Sequence, residues 1–146
     1  MEMNMENNAI ITLKTKQDID GEEDLIEITT QGKYVRRGDK YYISYEGSEI
    51  TGYEGTKTTL KINDRENSVM MLRHGENATQ MFFEKGNKCT GLYNTPFGRL
   101  TVDVSTTDLS IDVGESGGKV NLQYFIGVNN ELPIKNNLSV EIRTTQ

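Results

Sequence analysis

His74 is the only histidine in the chain and Cys89 the only cysteine. A zinc site takes three or four closely spaced nitrogen, sulfur or carboxylate ligands, and no Cys-Cys or His-His pair is present to begin one. No metal and no cofactor are therefore expected. The acidic run Asp18-Ile19-Asp20-Gly21-Glu22-Glu23-Asp24 opens like a calcium loop with Asp-x-Asp-Gly but lacks the rest, including the terminal glutamate. A solvated acidic connection explains it. Nucleophilic catalysis finds no Gly-x-Ser-x-Gly elbow, and the single histidine sits beside Gly75 in a turn signal, so no catalytic residue is expected. The Gly114-Glu115-Ser116-Gly117-Gly118 segment lacks the Lys-Ser/Thr ending of a phosphate-binding loop, and a β-hairpin accounts for its glycines. The basic and aromatic stretch from Lys33 to Tyr42 could stack single-stranded bases, but a hairpin with half-buried tyrosines explains it better in so acidic a chain.

Arg73 is the residue with the most to decide. It ends an apolar segment, Ser68 to His74, in which Met70 and Leu72 share one face and Val69, Met71 and Arg73 the other. Pointing inward, its guanidinium needs a partner or an anionic ligand; pointing outward, it is an ordinary surface charge. Both faces of the segment are apolar, so the pattern leaves the choice open, with a structural arginine preferred.

The bulk properties narrow the class. The chain has 146 residues, 34% of them hydrophobic, and a formal charge of −6. Its pI is near 4.9. An acidic chain is a poor match for nucleic acid or anionic lipid, where Lys and Arg must replace counterions. Neither nucleic acid nor membrane is expected as a partner. The first eight residues, Met1 to Asn8, are polar and read as a flexible tail, with no secretory leader. A single cysteine forms no intrachain disulfide. Together these point to a cytoplasmic protein, in which the sequons at Asn77 and Asn137 carry no glycan.

The elements that must position these residues are strands. Residues 9–146 read as one domain. Period-two alternation, the mark of a half-buried strand, recurs in ten segments with turn signals between them. It is cleanest at Val120, Leu122, Tyr124, Ile126 and Val128. No helical period persists. An antiparallel meander of this length hides its two edges by closing into an up-and-down barrel of about eight to ten strands. If strands alternate in direction, the connections near residues 38, 65, 86 and 116 share one end and are short. Those at 17–24, 47–56, 74–77, 94–98 and 129–135 share the other and are mostly longer. The second end is a mouth, where barrel ligands bind. The inward faces are expected to present Tyr41, Tyr45, Tyr124, Met70, Met81 and Phe83.

The stretch Leu92 to Asp112 contains the longest strand pattern, and its alternation changes phase. Leu100, Val102 and Val104 are even, whereas Leu109, Ile111 and Val113 are odd. Such a shift predicts a β-bulge or a sharp bend near Ser105 to Asp108. Pro96 donates no ladder hydrogen bond, so pairing is expected to break from Asn94 to Phe97.

Several pieces in order along the chain carry a likeness: Tyr41-Tyr42-Ile43-Ser44-Tyr45-Glu46, Thr58-Thr59-Leu60-Lys61, Arg73 with Gly75, Phe82-Phe83 before Gly86, and Tyr93-Asn94-Thr95-Pro96-Phe97-Gly98 leading into Thr106. In these the chain resembles the YwiB-like family of small bacterial proteins. The resemblance implies a closed calycin-like, or lipocalin-like, barrel and brings no known activity.

The functional expectation is a non-enzymatic barrel holding a small apolar or amphipathic ligand at the mouth. Arg73, Tyr93, Thr95, Phe97, Tyr45 and Tyr53 are the candidate binding residues. The alternative is a structural or protein-interaction barrel without a ligand, using a patch near Phe97 and Tyr53. A homo-oligomer is compatible with either.

Overall fold

The computed structural model describes residues 7–19, 21–46, 56–75, 78–95, 97–127 and 133–145. All regular structure in it is β: β1 (Ala9–Ile19), β2 (Glu22–Arg37), β3 (Lys40–Glu46), β4 (Lys57–Asn63), β5 (Ser68–His74), β6 (Thr79–Glu84), β7 (Lys88–Thr95), β8 (Gly98–Gly114), β9 (Gly117–Gly127) and β10 (Ile134–Thr144). Each strand pairs antiparallel with its sequence neighbours, and β1 pairs with β10 to close the barrel. All ten strands are where the alternation places them, and closure leaves β1 and β10 no bare edge.

Alternation becomes burial. Val120, Leu122 and Tyr124 of β9, Leu138, Val140 and Ile142 of β10, and Ile11 and Leu13 of β1 all lie in the core. Of the expected inward residues, Tyr41, Tyr45, Tyr124, Met81 and Phe83 are buried. Met70 is not among them: it sits on the outer face opposite Lys61, and Met71 points inward beside Leu60. The parity of β5 was ambiguous because hydrophobic residues occupy both its faces.

The bulge is where the phase change puts it. The β8–β9 register slips between Thr106 and Asp108. Thr107 is the extra residue, and its hydroxyl donates to Gln123, whose backbone and side-chain oxygens lie 3.2 and 3.0 Å away. The slip lets Val102 and Val104 before it, and Leu109 after it, all face the core. Just before the bulge, Gly86 N donates to Thr106 O and Thr106 N donates to Asn87 O, so the β6–β7 turn bonds directly to β8.

Three expectations change. The β1–β2 hairpin runs further into the acidic stretch than its charge suggests, pairing Ile19 with Glu22. Glu22, Glu23 and Asp24 stand exposed on β2, with Lys16 and Glu23 3.0 Å apart, so these charges did not have to break the strand. The β7–β8 ladder continues to Thr95 and Gly98 instead of stopping at Asn94. Asn94 N also donates to Ala78 O, so this residue is bonded to strands on both sides; Pro96 itself lies outside the described residues. Finally, Asn8 is anchored rather than frayed. Its side chain donates to Tyr34 O and accepts from Tyr34 N, and its backbone bonds Gly32 O and Thr145 N.

Two glycine sites let backbones approach closely, the second of them at the closed end. β2 changes partner at Gly32, from Ala9 on β1 to β3 at the next residue, and a Cβ there would strike Ser44 O and Ile11. At Gly117 and Gly118, with φ of +113° and +150°, a Cβ would meet the carbonyl oxygens of Ile142 and Asp112. Only glycine accepts that backbone at that distance.

Tyr34 seals this end. It stacks on Tyr41 with ring centroids 5.7 Å apart and donates to Gly114 O at 2.6 Å. Burial first, then the neighbouring Tyr41, raises its pKa above the ordinary phenol value, Arg36 opposing and Asp64 adding. A raised folded-state pKa means that the phenol stabilises the fold fully below the unfolded pKa of about 10 and loses that contribution as pH rises through the folded value. Tyr34→Phe is expected to cost about 1 kcal/mol at neutral pH. It should also flatten the fall in stability above pH ~10. Urea melts at pH 7 and at alkaline pH check both.

Candidate functional site

The inward faces of the opposite end do not fill the barrel. A cavity of about 540 Å³ opens there, lined from β1, β2, β3, β4, β5, β6, β7, β9 and β10. Its lower wall is apolar: Leu13, Leu60, Met71, Met81, Leu138 and Ile28. Tyr124 lines it and packs on Phe83, centroids 4.7 Å apart, with Phe83 fully buried beneath. One inward step nearer the mouth, the lining turns polar, with Gln17, Asp24, Arg73, Tyr45, Tyr93 and Asn136. Gln17 Nε2 donates to Asn136 Oδ1 at 3.0 Å, and Asn136 Nδ2 to Ile134 O at 3.1 Å, which fixes that side of the rim.

The mouth has a lateral extension. Most of β2, Glu22 to Gly32, pairs with β1, whereas pairing with β3 begins only at Lys33. Ile26 therefore lines the cavity yet is 50% exposed. Asp24, two residues closer to the hairpin tip, is exposed as well.

The register places Arg73 in a continuous inward row. Tyr45 of β3 is opposite Thr58 of β4, Thr58 opposite Arg73 of β5, Arg73 opposite Thr79 of β6, and Thr79 opposite Tyr93 of β7. Directly opposed residues bring their Cβ atoms to about 5 Å, so neighbouring side chains in such a row interact. Thr58, Thr79 and Tyr45 are buried at 2%, 4% and 9% exposure, and Arg73 Nε is shut off from solvent. Tyr45, Arg73, Thr79 and Tyr93 each engage a neighbour in the structure. Arg73 thus points inward, the alternative that its strand pattern left open.

Of the candidate residues, the structure brings Tyr45, Arg73 and Tyr93 together. Phe97 is not with them: it stands between β7 and β8 and is 99% exposed. Thr95 ends β7 opposite Gly98, and its side chain lies outside the described part, as does all of Tyr53. Sequence reasoning missed Gln17, Asp24 and Asn136. Parity could have found two of them. Gln17 keeps the parity of Ile11 and Leu13, and Asn136 that of Leu138 and Val140.

No group of three or more His, Cys, Asp or Glu among the described residues is placed to hold a metal ion. His74 and Cys89 are not among the described residues that line the cavity.

A closed ten-stranded meander with a cavity at one end defines a β-barrel protein. The chain belongs to the family described as Domain of unknown function (DUF1934), whose model matches residues 11–140. It is 29% identical over 138 residues to the uncharacterized beta-barrel protein YwiB of Bacillus subtilis (strain 168), covering 93% of this chain and 94% of that protein. The crystal structure of the ywiB protein from Bacillus subtilis matches the fold with a TM-score of 0.82 at 24% identity, over 96% of this chain and 93% of that one. The protein is thus a β-barrel of the YwiB type.

Proposed function

We propose that the protein is a non-enzymatic, cytoplasmic binding protein that holds a small, partly apolar molecule inside the mouth of its barrel. The observation that carries this reading is the cavity itself: about 540 Å³, apolar below and polar at the rim. Ligand pockets fall in the range of about 300–1,000 Å³, are mostly apolar, and orient their ligand with a few polar groups. Met71 and Met81 give the lower wall flexible side chains that suit an irregular apolar surface.

The test is a neutral fluorescent probe. 1-Aminoanthracene should bind with a stoichiometry of one per chain and brighten. Met71→Trp places an indole in the cavity and should weaken binding by about tenfold or more, equivalent to ~1.4 kcal/mol. A fluorescence titration that saturates equally in both proteins, or in neither, would remove this reading.

A second reading has one observation in its favour. Leu25 is 70% exposed in an outer-face groove of about 570 Å³ that it shares with Lys14, Lys16, Glu27 and Asn121. Exposed apolar surface of this kind serves protein contacts. A stable dimer that binds no probe would favour this interaction role.

A further inference from the structure

We infer that the ligand is an anion: a small amphipathic molecule whose carboxylate or comparable acidic group docks on Arg73 while its apolar part descends between Leu60, Met71 and Leu138. This rests on the binding role proposed above and adds the chemical class. The row Tyr45, Thr58, Arg73, Thr79, Tyr93 carries the inference. Five side chains from five consecutive strands stand side by side on the inner wall, with the cation at the centre, a hydroxyl on each side and a phenol beyond each hydroxyl. Hydroxyls and phenols donate hydrogen bonds, and a guanidinium donates in a planar fork that fits a carboxylate. The row contains no carboxylate.

The electrostatics agree. Among the described residues lining the cavity, Arg73 is the only cation and Asp24 the only carboxylate. Asp24 lies on β2, in the open part of the mouth, and is exposed to water, which screens it. Arg73 has its Nε shut off from solvent, so its field acts in a less polar medium. A cationic ligand would meet this charge at close range. An anion with a short chain satisfies both layers of the lining: the row takes the head, and the apolar wall, one inward step below it, takes the tail.

Three probes of equal length separate the possibilities: octanoate, 1-octanol and octylammonium, each displacing 1-aminoanthracene from the full chain at pH 7. Octanoate is expected to bind about 10- to 100-fold tighter than 1-octanol, the range of a charge-assisted hydrogen bond. Octylammonium should be the weakest. In Arg73→Gln the octanoate advantage should vanish while 1-octanol still displaces the probe, and Arg73→Lys should restore part of it. If the Arg73→Gln protein does not fold, the wild-type series and Arg73→Lys decide alone. Equal displacement by octanoate and 1-octanol in the wild type would overturn the anion assignment and leave the binding role standing. Failure of all three, with no probe bound, would overturn both.

Discussion

Deleting Thr107 is expected to abolish folding. β8 serves two halves of the barrel wall in opposite phase, and Thr107 is the residue that reconciles them. Without it, either the segment carrying Val102 and Val104 or the one carrying Leu109, Ile111 and Val113 must turn its inward side chains to solvent, because a one-residue slip reverses every side chain of a strand. Val102, Val104 and Leu109 are 5%, 1% and 5% exposed, and Ile111 and Val113 pack on the same core. Exposing two or three such side chains at roughly 1.5–3 kcal/mol each removes about 3–9 kcal/mol, comparable to the ~5–15 kcal/mol that hold a typical domain together. The deletion protein should be insoluble or lack a cooperative melt by circular dichroism. A folded deletion protein melting within a few degrees of the wild type would refute the role given to the bulge. Thr107→Ala, which keeps the residue count and loses only the bond to Gln123, should cost about 1 kcal/mol.

Phe83→Ala is the second large effect. Phe83 is 0% exposed and supports Tyr124, which in turn lines the cavity. Truncating a buried phenylalanine costs about 3–5 kcal/mol through lost transfer energy and the void left behind. For a chain of this size that lowers the melting temperature by on the order of 10 °C. The void lies under Tyr124, so the ring loses its support and the cavity floor should deepen. The variant should therefore melt early in calorimetry and accept a longer alkyl chain than the wild type. A loss of less than ~1 kcal/mol would show that the core beneath the cavity is not packed as described.

How much of this was written in the chain differs from element to element. The ten strands were legible because most segments carry one clean polar-apolar alternation, and Val102 with Leu109 announced the bulge by parity alone. The mouth end followed from which turns are short. Residues failed where alternation fails. Met70 and Met71 are equally apolar, so only the cross-strand partners of β5 decide which one is buried. Gln17 and Asp24 were hidden because an acidic run looks like a loop, whereas the β1–β2 ladder runs into it with Glu22, Glu23 and Asp24 exposed. Phe97 illustrates the converse error. An aromatic residue near a mouth suggested a contact, but Phe97 is 99% exposed. The row centred on Arg73 could not be read at all without registers, since its five members come from five strands.

Native mass spectrometry of the protein purified from its own host shows whether the barrel mouth holds a ligand. One small molecule per chain is expected, released on denaturation and missing from the Met71→Trp protein. Bare chain in the wild type, or an adduct that Met71→Trp leaves undiminished, would contradict it.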